Sequence, residues 1–285
     1  MEQTLKNGNL IYDVGLHRGE DTDYYLKKGF KVVAFEAEPT LVTECKTRFK
    51  DEIAKGQLVI VEGAIAAPTP GKSGGTIKFF RNKDATIWGT VVDERASTYE
   101  DIGTSTEIIE VPIIDFADCL RQYGVPHYMK IDIEGMDTLC LKALMNFEQK
   151  PDYISIESDK VSFDKIEEEF GLLTKLGYVK FQAVNQVSVP GHKEPQNSRE
   201  GRYLGYRFQQ GSSGLFGSDL ADKWETKEQI LSTYRGIFKG YSLYGDKGKL
   251  WKTLPGKVIA KSVIILTGRR IPGWYDTHAK HGSAK

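Results

Sequence analysis

The chain has 285 residues, 39 basic and 39 acidic side chains and a hydrophobic content of 40%, which are values of a globular protein with a sizeable core. Its net charge of zero argues against a general nucleic-acid-binding protein, and no window approaches the ~20 apolar residues of a membrane span. Three cysteines, far apart, and an apolar run close to the N-terminus predict a cytoplasmic protein without a disulfide framework, a metal cluster or a signal peptide.

The first predicted unit is a strand, a glycine turn and a helix. The apolar run at residues 10–12 is typical of a buried strand. Gly15 and Gly19 follow at a spacing that lets the backbone turn sharply and approach a ligand. A helix then begins, with Asp21 or Thr22 as its predicted N-cap.

The second predicted strand, residues 31–36, ends on Glu36, about 20 residues after the first glycine, where α/β nucleotide-binding folds hold a ribose. The turn before it is not that of a dinucleotide site, because His17 stands at the middle glycine position. Four carboxylates also surround this turn: Asp13, Glu20, Asp21 and Asp23. They would repel a pyrophosphate and suit a ligand with positive charge beside a ribose, such as S-adenosylmethionine with its amino group and sulfonium.

The remaining predicted elements alternate between strands and helices. Helices are expected from Pro39 to about residue 55, from Asp115 to residue 123, after Gly135 and at residues 163–176, and strands at residues 57–62, 76–80, 108–114, 128–133, 152–157 and 178–184. Residues 203–208 are the predicted antiparallel seventh strand, with residues 258–266 as the competing candidate. The order predicts a Rossmann-like, mainly parallel sheet with helices on both faces in residues 1–210, followed by a C-terminal extension, residues 211–285.

Ligands of such sheets bind at the carboxyl ends of the strands. In chain order, this rule selects Asp13, Gly15, His17, Gly19, Glu36, Glu62, Ala64, Asp132, Glu134, Glu157 and Asp159. Lys130 and Asp132 share the fourth core strand and are costly to bury unless they are paired. They therefore predict either a structural ion pair or a carboxylate that faces a substrate.

Three motifs resemble those of the FkbM-type S-adenosylmethionine-dependent methyltransferases: Asp13-Val-Gly-Leu-His-Arg-Gly19, Phe35-Glu-Ala-Glu-Pro39 and Lys130-Ile-Asp-Ile-Glu-Gly135. The resemblance spans roughly residues 9–186 and implies a Rossmann-like class I methyltransferase fold. It implies S-adenosylmethionine as the co-substrate, with its methionine end on Asp13 and Gly15, its ribose hydroxyls on Glu36 and its adenine near Ala64. It also implies methylation of an oxygen, often a sugar hydroxyl on a glycan or natural product.

An alcohol is a poor nucleophile at neutral pH, so a general base is expected beside the acceptor. Asp132 and Glu134 are the predicted catalytic carboxylates, and His17, inside the glycine turn, could orient the cofactor or act as a base. Together with Glu157, these two carboxylates could instead bind Mg²⁺. Because no ligand-spacing signature is present, the sequence favours catalysis without a metal.

The end of the chain carries a second candidate site. The segment from Trp274 to His278 holds two aromatic rings, a carboxylate and an imidazole. We expect the tail either to fold over the strand ends as a lid, with His278 catalytic at the acceptor site, or to dock a loose terminus on the core.

Two other functions stay open at this point: an NAD(P)-dependent Rossmann oxidoreductase and a non-catalytic binding protein on the same fold. The missing middle glycine and the acidic turn argue against the oxidoreductase. The expected partner is a small-molecule or glycan acceptor, with no nucleic acid and no membrane span. Formation of a homo-oligomer is left open.

Overall fold

A computed structural model describes residues 1–67, 75–84, 86–101, 103–159, 162–244 and 274–284, with positions 255 and 262. Its ten strands, within these residues, are β1 (Lys6–Val14), β2 (Lys31–Glu36), β3 (Leu58–Glu62), β4 (Ala64–Ile65), β5 (Thr76–Asn82), β6 (Thr106–Ile114), β7 (Val125–Ile131), β8 (Tyr153–Glu157), β9 (Tyr178–Asn185) and β10 (Tyr275–His281). Seven of them form the central sheet in the order β3-β2-β1-β7-β8-β10-β9, and β4, β6 and β5 form a small second sheet. The predicted Rossmann-like, mainly parallel seven-stranded sheet is confirmed.

The helices are α1 (Glu20–Lys28), α2 (Pro39–Arg48), α3 (Lys50–Ala54), α4 (Asp93–Asp101), α5 (Phe116–Tyr123), α6 (Asp137–Leu144), α7 (Phe163–Lys175) and α8 (Lys227–Tyr244). One face of the central sheet packs its apolar side chains against α5, α6, α7 and α8. The other face packs against α1, α2 and the irregular segment 204–220. Within this second layer, Phe216 stacks on Tyr128 of β7 with the ring centroids 4.6 Å apart. None of the helices among the described residues is long and apolar enough to cross a bilayer.

The seventh strand is β10, and its position corrects two predictions about the tail. It runs antiparallel between β8 and β9, with Asp276 opposite Glu157 of β8 and Val184 of β9. Residues 203–208 form no strand, and residues 258–266 lie outside the described part of the chain. A boundary at residue 210 therefore does not separate the tail from the core, because the last described strand completes the central sheet rather than forming a lid over it.

The first turn of α1 also differs from the prediction. The N-cap is Gly19, in a left-handed conformation with φ +78°, and not Asp21 or Thr22. The side chains of Asp21 and Thr22 lie within α1 and are buried. Thr22 donates to Asp13, and Asp21 accepts the backbone N–H of Ser213. Long-range partners have thus replaced the local capping bonds expected of these residue types.

Candidate active site

A cavity of about 880 Å³, including its open mouth, lies at the carboxyl ends of β1, β2, β3 and β7. Six of the residues selected from the sequence line it: Gly15, His17, Glu36, Ala64, Asp132 and Glu134. The cavity therefore joins the ends of three neighbouring strands, β2, β1 and β7, which the sequence analysis had selected separately.

The glycine turn forms the floor of the cavity. Gly15 has φ +100°, and a Cβ atom there would lie 1.9 Å from the backbone oxygen of Asp132, so no other residue fits without a shift of the backbone. The N–H groups of Gly15 and Leu16 both donate to the carbonyl oxygen of Phe35, at 3.1 and 2.9 Å. These bonds hold the turn against the end of β2.

Glu36 stands at the end of β2 with both carboxylate oxygens oriented by backbone donors. The N–H of His17 donates to Oε2 at 2.8 Å, and that of Glu38 donates to Oε1 at 2.9 Å. Desolvation at this position raises the pKa of Glu36 to about 6. Each oxygen keeps a further lone pair, so the carboxylate can accept two more hydrogen bonds from a ligand.

The His17 ring connects the glycine turn to the chain segment between β5 and α4. Nδ1 lies 3.1 Å from Oε1 of Glu20, and Nε2 lies 2.8 Å from Oγ1 of Thr86. His17 has φ +50°, an uncommon conformation for a side chain that has a Cβ. Glu134 has the same φ, and these are the two non-glycine residues with positive φ among those described. Both line the cavity, and strained backbone of this kind clusters at functional sites.

Two of the predicted cofactor residues do not line the cavity. Asp13 has no solvent exposure and lies behind Lys130, with Thr22 Oγ1 at 2.6 Å and Lys130 Nζ at 3.3 Å from its carboxylate. Gly19 packs on the Phe49 ring and shapes the turn instead. The expected direct contact between Asp13 and a cofactor is therefore absent, because the Asp13 side chain lies beneath the floor of the cavity.

Lys130 was missed as a cavity residue, although the sequence marked it as costly to bury. Its ammonium donates to the carbonyl oxygen of Gly15 at 2.9 Å and to Asp13, and lies 3.6 Å from Asp21 and 3.7 Å from Asp132. Attraction from these carboxylates outweighs burial and raises the pKa of Lys130. It is the one lysine or arginine among the described residues that line the cavity.

Asp132 and Glu134 follow β7 and reach the cavity as predicted. The side chain of Asp132 is 43% exposed, so the predicted ion pair with Lys130 exists but leaves much of the carboxylate free. Glu134 is ion-paired with Arg95 of α4, and its carbonyl oxygen accepts a bond from Thr90. The segment between β5 and β6 thereby closes one wall of the cavity.

Glu157 joins these two carboxylates at the end of β8. One oxygen from each of the three groups lies within 4.8 Å of the others. Burial raises the pKa of Glu157, and so do the charges of Glu134 and Asp132. Asp276 of β10 is directly opposite Glu157 in the sheet and is 7% exposed. Acidic groups from three strands therefore meet beside the cavity.

His278 does not belong to this site. It is 2% exposed and lies in the middle of β10, opposite Ser155 of β8 and Gln182 of β9. Burial lowers its pKa to about 3, and its Nε2 atom has no hydrogen-bond partner within the part of the chain that the structure describes. Of the predicted tail cluster, Asp276 is the residue that the antiparallel strand brings to the strand ends.

One further contribution to the cavity comes from beyond residue 210. Gly211 lines it, and the N–H of Ser213 donates to both oxygens of Asp21, at 2.8 and 3.1 Å. Sequence composition showed this segment only as a glycine- and serine-rich loop. Its contact with α1 could not be derived from the spacing of residues so far apart.

Comparisons with known proteins give one match that covers most of this site. The family model described as "Methyltransferase FkbM domain" matches residues 13–180. The chain is also 32% identical over 65 residues to the probable ribosomal RNA small subunit methyltransferase A of Methanospirillum hungatei JF-1. That match covers 22% of this chain and only 25% of the length of that protein.

Two solved structures match this chain at low identity and low TM-score. Precorrin-6y C5,15-methyltransferase from Geobacter metallireducens GS-15 is 14% identical, with 70% of this chain and 77% of that chain covered and a TM-score of 0.35. A SAM-dependent methyltransferase from Thiobacillus denitrificans, in complex with S-adenosyl-L-homocysteine, is 10% identical, with 97% and 86% covered and a TM-score of 0.35. At these values, neither structure bears on the function of this chain.

Proposed function

The chain belongs to the FkbM methyltransferase family, and on that premise we propose that it transfers the methyl group of S-adenosylmethionine to a hydroxyl group of a sugar, glycan or other natural product. The observation that carries the proposal is that Glu36 and Asp132 line one cavity from opposite sides of the glycine turn. In this proposal, Glu36 binds the ribose of the cofactor and Asp132 faces the acceptor.

The cofactor fits the cavity as follows in this proposal. The two oxygens of Glu36 accept hydrogen bonds from the two ribose hydroxyls, and the apolar wall near Ala64 and Leu41 receives the adenine. Gly15 lets the methionine end approach the backbone. Lys130 has three N–H donors, of which Gly15 and Asp13 take two, so the third is available to the methionine carboxylate.

The positive groups of the cofactor have acidic neighbours on the same floor. Glu20, Asp21 and Asp132 line the cavity close to the first turn of α1. Glu20 and Asp21 would stabilise the amino group, and Asp132 would stabilise the sulfonium. All three carboxylates oppose the pyrophosphate that an oxidoreductase of this general fold would need. His17 orients this wall through its contacts with Glu20 and Thr86.

Methyl transfer is an in-line displacement. The acceptor oxygen forms a bond to the methyl carbon while the carbon–sulfur bond breaks, and the sulfur keeps the electron pair as neutral S-adenosylhomocysteine. The hydroxyl proton passes to a carboxylate, for which Asp132 and Glu134 are the proposed acceptors. The binding site supplies proximity and alignment, which are the main requirements of such a reaction.

The proposed location is the cytoplasm, and the proposed partners include no nucleic acid. Cys45, Cys119 and Cys140 are buried and form no disulfide, which supports a reducing compartment.

A panel of acceptors tests the proposal. The purified chain is incubated with S-adenosylmethionine and neutral sugars, glycans or amines, and release of S-adenosylhomocysteine is measured. We expect release only with acceptors that offer a hydroxyl, and a methyl ether as the product. Methylation of nitrogen would contradict the oxygen assignment. Cofactor binding without turnover on any acceptor would favour a non-catalytic binding protein.

A further inference from the structure

The three carboxylates at the ends of β7 and β8 form a compact group. Oxygens of Asp132, Glu134 and Glu157 lie within 4.8 Å of one another. A single ion can therefore lie within about 2.8 Å of all three, and closure by a few tenths of an ångström gives the bond lengths of hard divalent cations, roughly 2.1–2.6 Å. Carboxylate oxygens are the ligands that such cations prefer.

A fourth carboxylate gives independent evidence for a positive ligand at this point. Asp276 is 93% buried, and its side chain forms no hydrogen bond or ion pair with any residue in the described ranges. It stands opposite Glu157 on the same face of the sheet, and among charged groups Asp132 acts on it most strongly. A buried carboxylate without a partner is costly, so a cation in this group would stabilise the site.

The positive side chains nearby are already engaged. Arg95 is ion-paired with Glu134. Lys130 donates to Asp13 and Gly15, and its third N–H serves the cofactor in the function proposed above.

We propose that Asp132, Glu134 and Glu157, with Asp276 behind them, bind a divalent cation such as Mn²⁺ or Mg²⁺. This differs from the metal-free site favoured by the sequence, because Asp276 lies far from the three other carboxylates in the chain and reaches them only through the pairing of β10 with β8. It is compatible with proton transfer to Asp132, since a carboxylate has two oxygens and about four lone-pair sites. The site itself does not depend on the identity of the acceptor.

Mn²⁺ binding to the full chain tests the proposal, with electron paramagnetic resonance of free Mn²⁺ as the measurement. Saturating S-adenosylhomocysteine is present, because it lacks the sulfonium that could otherwise occupy the acidic group. We expect one bound Mn²⁺ with a Kd below about 1 mM. Glu157→Gln and Asp276→Asn should each weaken binding at least tenfold, while Glu148→Gln, an exposed carboxylate away from the site, should leave it unchanged.

Thermal unfolding and S-adenosylhomocysteine affinity are measured for each variant, so that loss of the fold or of the cofactor site is recognised separately. No Mn²⁺ bound at millimolar concentration, in wild type that binds S-adenosylhomocysteine, would overturn the proposal. Undiminished Mn²⁺ affinity in both neutral variants would overturn it as well. A third result is that Glu157→Gln weakens the binding of S-adenosylmethionine but not of S-adenosylhomocysteine, and that Mn²⁺ does not bind. The acidic group then serves the sulfonium, and the metal site is refuted.

Discussion

Replacement of His278 by phenylalanine separates a structural role for this residue from a catalytic one. The imidazole is buried in β10 and its pKa is lowered from 6.5 to about 3. The His278 imidazole takes up a proton more readily in the unfolded chain than in the native protein. The contribution of neutral His278 to the free energy of unfolding is therefore complete above pH 6.5 and declines as the pH falls toward 3. His278→Phe keeps a ring of similar size and removes the titration.

The size of the effect follows from the shift. Each pH unit between 6.5 and 3 costs the native state about 1.4 kcal/mol, so a change from pH 6.5 to 4.5 costs about 3 kcal/mol through this residue. Urea unfolding at pH 7 and pH 4.5 measures it. We expect the loss of unfolding free energy between these two pH values to be smaller by about 3 kcal/mol in His278→Phe than in wild type.

Methyl transfer at pH 7 should be unchanged in the same variant, because His278 does not line the cavity. Two results would refute this reasoning. One is an equal acid sensitivity in wild type and variant. The other is a folded variant that binds S-adenosylhomocysteine normally and transfers the methyl group orders of magnitude more slowly, which would restore His278 to the catalytic role expected from the sequence.

Further predictions concern Asp132, after the carboxyl end of β7, and His127, near the amino end of the same strand. Asp132→Asn should keep S-adenosylhomocysteine affinity and lower turnover by about 10²–10⁴, the usual contribution of a general base, and equal turnover would exclude Asp132. Burial alone would lower the pKa of His127, but its bonds to Asp152 and Glu200 raise it to about 9. Its contribution to stability is complete below pH 6.5 and should decline by about 3 kcal/mol as the pH rises to 9. His127→Gln should abolish that decline in urea unfolding, and an unaltered decline would contradict the assignment.

The part of the cavity around the glycine turn could be predicted because its signals are local. Gly15, His17 and Glu36 lie on one strand–turn–helix–strand unit, where residue spacing fixes which groups follow the strand ends. Asp13 belongs to the same unit but was misplaced, since the direction of its side chain depends on the strand pleat and on Lys130 in β7. The general position of a group was thus predictable, and its orientation was not.

The group of carboxylates at the ends of β7, β8 and β10 depends on contacts that the order of residues does not show. β10 contains Asp276, Thr277 and His278, polar residues that are typical of a surface segment and yet are buried in the sheet. Its strand neighbours, β8 and β9, are separated from it by about a hundred residues of chain. Long-range pairing overrides local composition there, and it also brings Glu157 and Asp276 together.

Calorimetric titration with S-adenosylhomocysteine, alongside NADP, tests the central claim most directly. We predict saturable binding of S-adenosylhomocysteine by wild type, no binding of NADP, and a loss of about 1–3 kcal/mol in binding free energy for Glu36→Gln, the cost of weakening hydrogen bonds to a charged acceptor. Glu148→Gln should bind like wild type. Tight NADP binding with no heat from S-adenosylhomocysteine, or wild-type affinity in a folded Glu36→Gln variant, would contradict the assignment of this cavity to the cofactor.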